Sequence, residues 1–147
     1  MKDLVELARQ IATRAHLGQR DKAGADYITH PERVARRVAE RGGTAEAIAA
    51  AWLHDVVEDT TVDADELARL GVPAGVIATV LAVTKDPGHH ESTEAYIARV
   101  LADPDGRLVK TADLDDNTDP ARTAVLEPAT RERLARKYDR VRALLAA

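Results

Sequence analysis

The chain has no cysteine, no phenylalanine and a single tryptophan in 147 residues, and aromatic residues make up only 3%. Without cysteine there is no disulfide staple and no thiolate metal site, so any metal must be held by histidine and carboxylate side chains. So few aromatics provide no set of stacking platforms for single-stranded nucleic acid. A formal net charge of −4 excludes a broad basic surface that grips a phosphate backbone. No apolar run reaches the roughly 20 residues of a membrane-spanning helix. Met1-Lys2-Asp3-Leu4 opens no apolar signal segment. The expectation is a soluble, cytoplasmic protein with no nucleic-acid and no membrane partner.

What the chain does have is small and aliphatic. Hydrophobic residues make up 45%, drawn from Ala, Val and Leu, which favours closely packed helices. The length suggests one domain spanning 1–147, large enough to bury a core without staples. One stretch stands out: Ala51-Trp52-Leu53-His54-Asp55-Val56-Val57-Glu58-Asp59-Thr60. Four ionisable groups interrupt an apolar run. On a continuous helix His54 and Glu58 share one face, and Asp55 and Asp59 share the next. Trp52, Leu53, Val56 and Val57 are expected in the core. Charged groups at a core margin are costly unless paired or bound to metal. The plain alternative is a solvated face ending in an acidic cap.

In chain order, Leu4, Leu7, Ala8, Ile11 and Ala15 predict a helix over residues 3–16. A polar loop from Leu17 to Tyr27 follows, either a connection or a binding loop. Thr29-His30-Pro31-Glu32 opens a second helix, Gly42-Gly43 stops it, and Thr44 caps the helix carrying the central stretch. Asp63 to Glu66 predicts a short capped helix ended by Gly71. After Pro73, the apolar positions are Val76, Ile77, Val80, Leu81 and Val83. Lys85 to Glu91 reads as a loop with His89 and His90 as a loop pair. Ser92 or Thr93 starts the next helix, which the Asp103-Pro104-Asp105-Gly106 turn ends.

Leu108 to Thr118 then sets Asp113 beside an apolar stripe, with Asn117 four residues on. Acids near a helix C-terminus oppose its dipole, so this cluster needs another reason. Residues 119–128 read as a loop. A last helix from about Thr130 to Leu145 turns Leu134, Tyr138, Val141 and Leu145 inward and Arg131, Arg133, Arg136, Lys137, Arg140 and Arg142 outward. The architecture predicted is a single all-α bundle of about seven to eight helices. Three of them can bring His30, the His54-Asp55 pair and Asp113 together, a set that suits Mn²⁺ or a similar divalent ion.

The chain carries several ordered motifs: Ala15-His16-Leu17-Gly18-Gln19, Tyr27-Ile28-Thr29-His30-Pro31, His54-Asp55-Val56-Val57-Glu58-Asp59-Thr60, Val83-Thr84-Lys85, and Val109-Lys110-Thr111-Ala112-Asp113 with Asn117. Together they resemble the HD-domain phosphohydrolases, and among them the hydrolase domain of RelA/SpoT proteins and the small alarmone hydrolases. The resemblance implies that His30, His54, Asp55 and Asp113 ligate a metal, usually Mn²⁺. It implies that Glu58 and Asp59 handle the attacking water and its proton. Lys22 and Asn117 would bind a small nucleotide substrate, with Arg20 and Lys110 adding positive charge. The implied reaction removes the 3′-pyrophosphate of (p)ppGpp.

Two departures bear on the substrate. The family's loop usually reads Arg-Lys-Ser-Gly, its arginine packing on guanine, where this chain has Asp21-Lys22-Ala23-Gly24. An aspartate cannot make that contact. After Asn117 the usual Arg-Thr gives way to Thr118-Asp119-Pro120. A different nucleotide or phosphoester as substrate, or a catalytically silent nucleotide-binding module, therefore stand as alternatives. No synthetase-like second domain is expected after the last helix.

Overall fold

The computed structural model describes residues 3–85 and 91–147. Helices α1 (Leu4–Ala15), α2 (Thr29–Glu40), α3 (Ala45–Leu53), α4 (Val56–Asp59) and α5 (Ala64–Arg69) make up the first half. Helices α6 (Ala74–Val83), α7 (Thr93–Ala102), α8 (Gly106–Asn117), α9 (Pro120–Thr123) and α10 (Pro128–Ala146) follow. Among the described residues the only β pairing is an isolated bridge between Arg20 and Asp26. The fold is an all-α bundle. No helix of the described residues is long and apolar enough to cross a membrane.

The bundle is built around α3. Its Ala47, Ala49, Ala50, Ala51 and Leu53 have no exposed surface, and Trp52 is buried. A helix that is apolar all round is one that is buried all round. Here α1, α2, α6 and α8 all pack against it. Alanine on several faces lets those neighbours approach closely, in place of the bulky aromatics the chain lacks. Caps fix where the helices begin. Side-chain oxygens of Asp3, Thr44, Asp63 and Ser92 accept from the backbone N–H of Val5, Ala47, Glu66 and Ala95. Each satisfies a donor that the first helical turn leaves open. Ser92, rather than Thr93, is the cap of α7.

Four expectations change. The central stretch is not one helix: α3 stops at Leu53, and Asp55 (φ −104°, ψ −1°) turns the chain into the one-turn α4. The break lets His54 and Asp55 point at a common partner, which a regular helix would not permit for adjacent residues. Residues 119–128 are not all loop, because Asp119 caps the one-turn α9 through the Ala121 N–H. The last helix starts at Pro128, where proline fits a first turn. Leu81 is 41% exposed, on the outer side of α6. His89 and His90 lie outside the described residues.

Helix α8 is seated by a close backbone approach. A Cβ built on Gly106, its first residue, would lie 2.1 Å from the Val100 carbonyl oxygen of α7. Backbone must shift to admit it. Gly106→Ala is expected to lower unfolding free energy by about 1–3 kcal/mol, measured by urea denaturation, whereas Gly75→Ala, in open space, is expected to do no harm.

Candidate active site

Three helices deliver four side chains to one point. His30 comes from the first turn of α2, His54 and Asp55 from the α3–α4 break, and Asp113 from α8. His30 Nε2 lies 2.9 Å and His54 Nε2 3.2 Å from the same Asp113 Oδ1. Asp55 Oδ2 lies 3.0 Å from His54 Nε2 and 3.6 Å from His30 Nε2. One ligand atom from each of the four falls within 4.8 Å of the others. Both rings are aimed from behind. His54 Nδ1 is 2.7 Å from the Ala51 carbonyl, and His30 Nδ1 is 2.7 Å from Asp116 Oδ2. Nδ1 is thus engaged in each ring and Nε2 is turned inward, the arrangement that orients metal-ligating imidazoles. Two nitrogens and two carboxylate oxygens fit a divalent first-row ion.

The charge balance within the cluster points the same way. Burial alone would neutralise these groups, but they hold one another charged. His54 is raised well above its ordinary value: burial opposes this, and Asp55 and Asp113 override it. His30 is raised too, with Asp113 and Asp116 outweighing its burial. Asp113 is held well below the carboxylate range, burial being overcome by Lys110, His30 and His54. Lys110 Nζ sits 3.0 Å from Asp113 Oδ2. Asn117 Nδ2 donates to Asp113 Oδ1 at 3.2 Å. Both shifts favour the imidazolium form, whose charge offsets the neighbouring carboxylates. A divalent ion can take over that task once the imidazoles lose their protons.

A second acidic group borders the first. Glu58 and Asp59, at the exposed lip of α4, come within reach of Asp55. Partial desolvation, then the neighbouring carboxylates, raise both above their ordinary values. The Lys85 backbone N–H donates to Glu58 Oε1 at 2.7 Å. The Tyr27 hydroxyl donates to Asp55 Oδ2 at 2.5 Å and reaches Asp59 Oδ2 at 3.5 Å. Behind Tyr27 stands the buried His16 ring, centroids 4.9 Å apart. Gln19 ties His16 Nδ1 (2.8 Å) to the Asp59 carbonyl (2.9 Å). The His16-Leu17-Gly18-Gln19 motif thus braces Tyr27 and the end of α4.

These groups line a cleft of about 320 Å³. Arg20, Asp21, Lys22 and Ala23 edge it from the loop after α1, and Lys85, Lys110, Arg122, Lys137 and Tyr138 from the helical side. Gly24, at φ +88°, gives the loop a turn that a side chain would strain. Asp21 faces into that turn: its Oδ1 accepts from the Ala23 and Ala25 N–H groups. Its Oδ2 is 3.5 Å from Arg122 Nη2. Arg122 Nη1 in turn donates to Asn117 Oδ1 at 3.1 Å and Asp116 Oδ2 at 2.9 Å. Arg122, from α9, thus stands against Asn117 and Asp21.

A family model described as HD domain matches residues 8–147. The chain belongs to the HD domain family. Among HD domain relatives, it is 32% identical over 145 residues to a guanosine-3′,5′-bis(diphosphate) 3′-pyrophosphohydrolase of Aquifex aeolicus, covering 97% of this chain and 21% of that protein. It is 35% identical over 118 residues to a GTP pyrophosphokinase of Streptomyces coelicolor, covering 74% of this chain and 14% of that one. The chain thus spans only 14% to 21% of the length of these two relatives. A solved structure, described as a metazoan ortholog of SpoT that hydrolyses ppGpp, superposes with TM-score 0.82 at 24% identity. It covers 99% of this chain and 86% of its own, and shares its fold.

The HD domain brings together all four ligands expected from the sequence, sets Glu58 and Asp59 beside them, and puts Lys22, Arg20 and Asn117 on the cleft wall. Arg20 also bonds the Gly24 carbonyl within its own loop. Sequence reasoning missed Asp116, Tyr27 and Arg122. Asp116 has no exposed surface and accepts from His30, Arg33 and Arg122. The acids at the end of α8 find their reason there, and in Arg41 and Arg142 on Asp115. The signal was present as arginines at 33, 37 and 41, one helical turn apart on α2. Lys137, assigned to the outer face, lines the cleft.

Asp116 falls to about 2, since His30 and Arg33 overcome its burial. A depressed carboxyl stabilises the fold above its ordinary value, and that contribution is lost as pH falls from about 4 towards 2. Asp116→Asn is expected to lose less stability over that range than wild type in urea titrations. It is also expected to weaken Mn²⁺ binding about 10–100-fold; unchanged metal affinity would give Asp116 a structural role only. Since both imidazoles are raised, metal uptake is expected to release protons. Calorimetry in buffers of different ionisation enthalpy is expected to show buffer-dependent heats, and equal heats would contradict this charge assignment.

Proposed function

We propose that residues 1–147 act as one metal-dependent phosphohydrolase domain, removing the 3′-pyrophosphate of (p)ppGpp with Mn²⁺ as the working ion. The reading is supported most directly by the convergence of His30, His54, Asp55 and Asp113 in the wall of a cation-lined cleft, with two carboxylates beside it. The names of the relatives support the substrate.

His30, His54, Asp55 and Asp113 would hold the ion, which when bound polarises a phosphoryl oxygen and lowers the pKa of water. The chain's own groups do the rest. Glu58 and Asp59, each raised from its ordinary value by burial and by Asp55, suit accepting the proton of an attacking water. Lys85 N–H fixes Glu58, and Tyr27 steadies Asp55 and Asp59. The bond broken joins the ribose 3′ oxygen to the diphosphate, and the leaving oxygen takes up a proton that the same pair can return. Lys110 offsets negative charge at Asp113. Lys22 and Arg20 attract a polyanion to the mouth of the cleft. Asn117, oriented by Asp113 and Arg122, faces the nucleotide.

A second reading keeps this chemistry and changes the substrate. Asp21 favours it, since its carboxylate is committed to the loop turn and to Arg122 rather than to a base.

Pyrophosphate and phosphate release from ppGpp and a nucleotide panel separates the two. The expected result is Mn²⁺-dependent pyrophosphate release from ppGpp, abolished by EDTA and by Asp113→Ala. Glu58→Gln is expected to lower kcat by about 10²–10⁴-fold. Turnover of another nucleotide only would establish the second reading, and stable nucleotide binding by the Mn²⁺-loaded protein without turnover would favour a catalytically silent nucleotide-binding module.

A further inference from the structure

Asp21 stands in a surface loop, yet its side chain is only 5% exposed. A carboxylate taken out of water needs hydrogen bonds or counter-charge to offset its lost hydration. Backbone supplies part of this: Oδ1 accepts from the Ala23 and Ala25 N–H groups at 2.9 and 3.0 Å. The loop is also closed on itself. The Asp21 N–H donates to the Ala25 carbonyl, the Gly24 N–H to the Asp21 carbonyl and the Tyr27 N–H to the Gln19 carbonyl. Asp21 is thus a fixed point, and its second oxygen, Oδ2, faces Arg122 Nη2 at 3.5 Å.

Arg122 is the link to the metal-ligand cluster. Its Nη1 lies 2.9 Å from Asp116 Oδ2, the same oxygen that stands 2.7 Å from His30 Nδ1. Nη1 itself comes within 3.3 Å of that ring nitrogen. One oxygen therefore serves both a guanidinium at the cleft and the imidazole that it aims. Asp116 has more positive charge around it than one carboxylate offsets, since Arg33 lies 2.8 Å and Arg37 3.8 Å from its other oxygen. Asp119 shares Arg37 at 2.9 Å, and Asp21 shares Arg122. With Asp21 drawing on Arg122, Asp116 Oδ2 stays available to the ring. Without that pull, Arg122 settles on Oδ2 and competes with His30 for it.

We propose that Asp21 is a positioning residue of the candidate active site: through Arg122 and Asp116 it sets the aim of His30, and with it the affinity of the cluster for its divalent ion. The inference rests on the metal reading above and not on the identity of the substrate.

The test is a double-mutant cycle of Asp21→Asn and Arg122→Gln with two readouts. Asparagine keeps an oxygen acceptor for the Ala23 and Ala25 N–H groups, so the loop retains its turn. The first readout is Mn²⁺ affinity by calorimetric titration. Asp21→Asn is expected to weaken it about threefold or more in wild type and to add nothing beside Arg122→Gln, the coupling expected of residues in one network. Loss of a nearby negative charge alone would weaken Mn²⁺ equally in both backgrounds; that result, or no change in either, would overturn the proposal. The second readout is the imidazole nitrogen resonances of the metal-free proteins. The His30 Nδ1 signal is expected to move in Asp21→Asn, while that of His54, whose Nδ1 rests against the Ala51 carbonyl, stays in place. Signals that both hold still, or that both move alike, would overturn it as well. If wild type takes up no Mn²⁺, the functional reading falls, and the ring resonances still decide the positioning.

Discussion

Asp113 carries the heaviest electrostatic demand in the molecule. It is buried, and His30, His54, Lys110 and Asn117 all bond to its carboxylate, with Asp55 pressed against the same group. A buried charge that loses its partners is far more costly than one that never existed. Each surrounding helix therefore has to arrive in register: α2 to bring His30, α3 to end at His54, α8 to present Asp113 itself. The alanine-rich surface of α3 makes this possible by letting α2 and α8 lie close on either side.

Support for the cluster extends outward in a layered way. His30 is held by Asp116, and Asp116 by Arg33 and Arg122. Arg122 is held in turn by Asp21 and Asn117. One chain of charge-assisted bonds thus connects the metal-ligand cluster to the loop that edges the cleft. The aspartate that departs from the family's loop pattern is part of that chain. Its charge anchors the loop to α9, and α9 exists as a helical turn because Asp119 caps it.

The cleft is also divided by chemistry. Its metal-ligand end is acid-rich and self-compensated, its loop edge carries Arg20 and Lys22, and its far wall carries lysines on aromatic rings. Positive charge borders the cleft on several sides while the acids are held by histidine, lysine and tyrosine partners. Such separation of sign over a short distance is possible only where hydrogen bonds fix every carboxylate.

The sequence by itself determined the donor set, the helical class and most helix ends. With cysteine absent, only His, Asp and Glu were available as ligands; His54, Asp55 and Asp113 stood beside apolar runs, His30 opened a helix, and the resemblance to the HD-domain phosphohydrolases joined them as one set. Caps at Thr44 and Asp63 are local interactions over a few residues, so they were legible. Tertiary structure decided what depends on distant partners. The turn at Asp55, the aim of both imidazoles, the role of Asp116 and the place of the exposed Lys137 at the cleft follow from contacts spanning dozens of residues in the chain. Periodicity reports which face of a helix is apolar; it does not report which charged side chain will find its counter-charge on another helix, and that pairing is what makes burial of the site affordable.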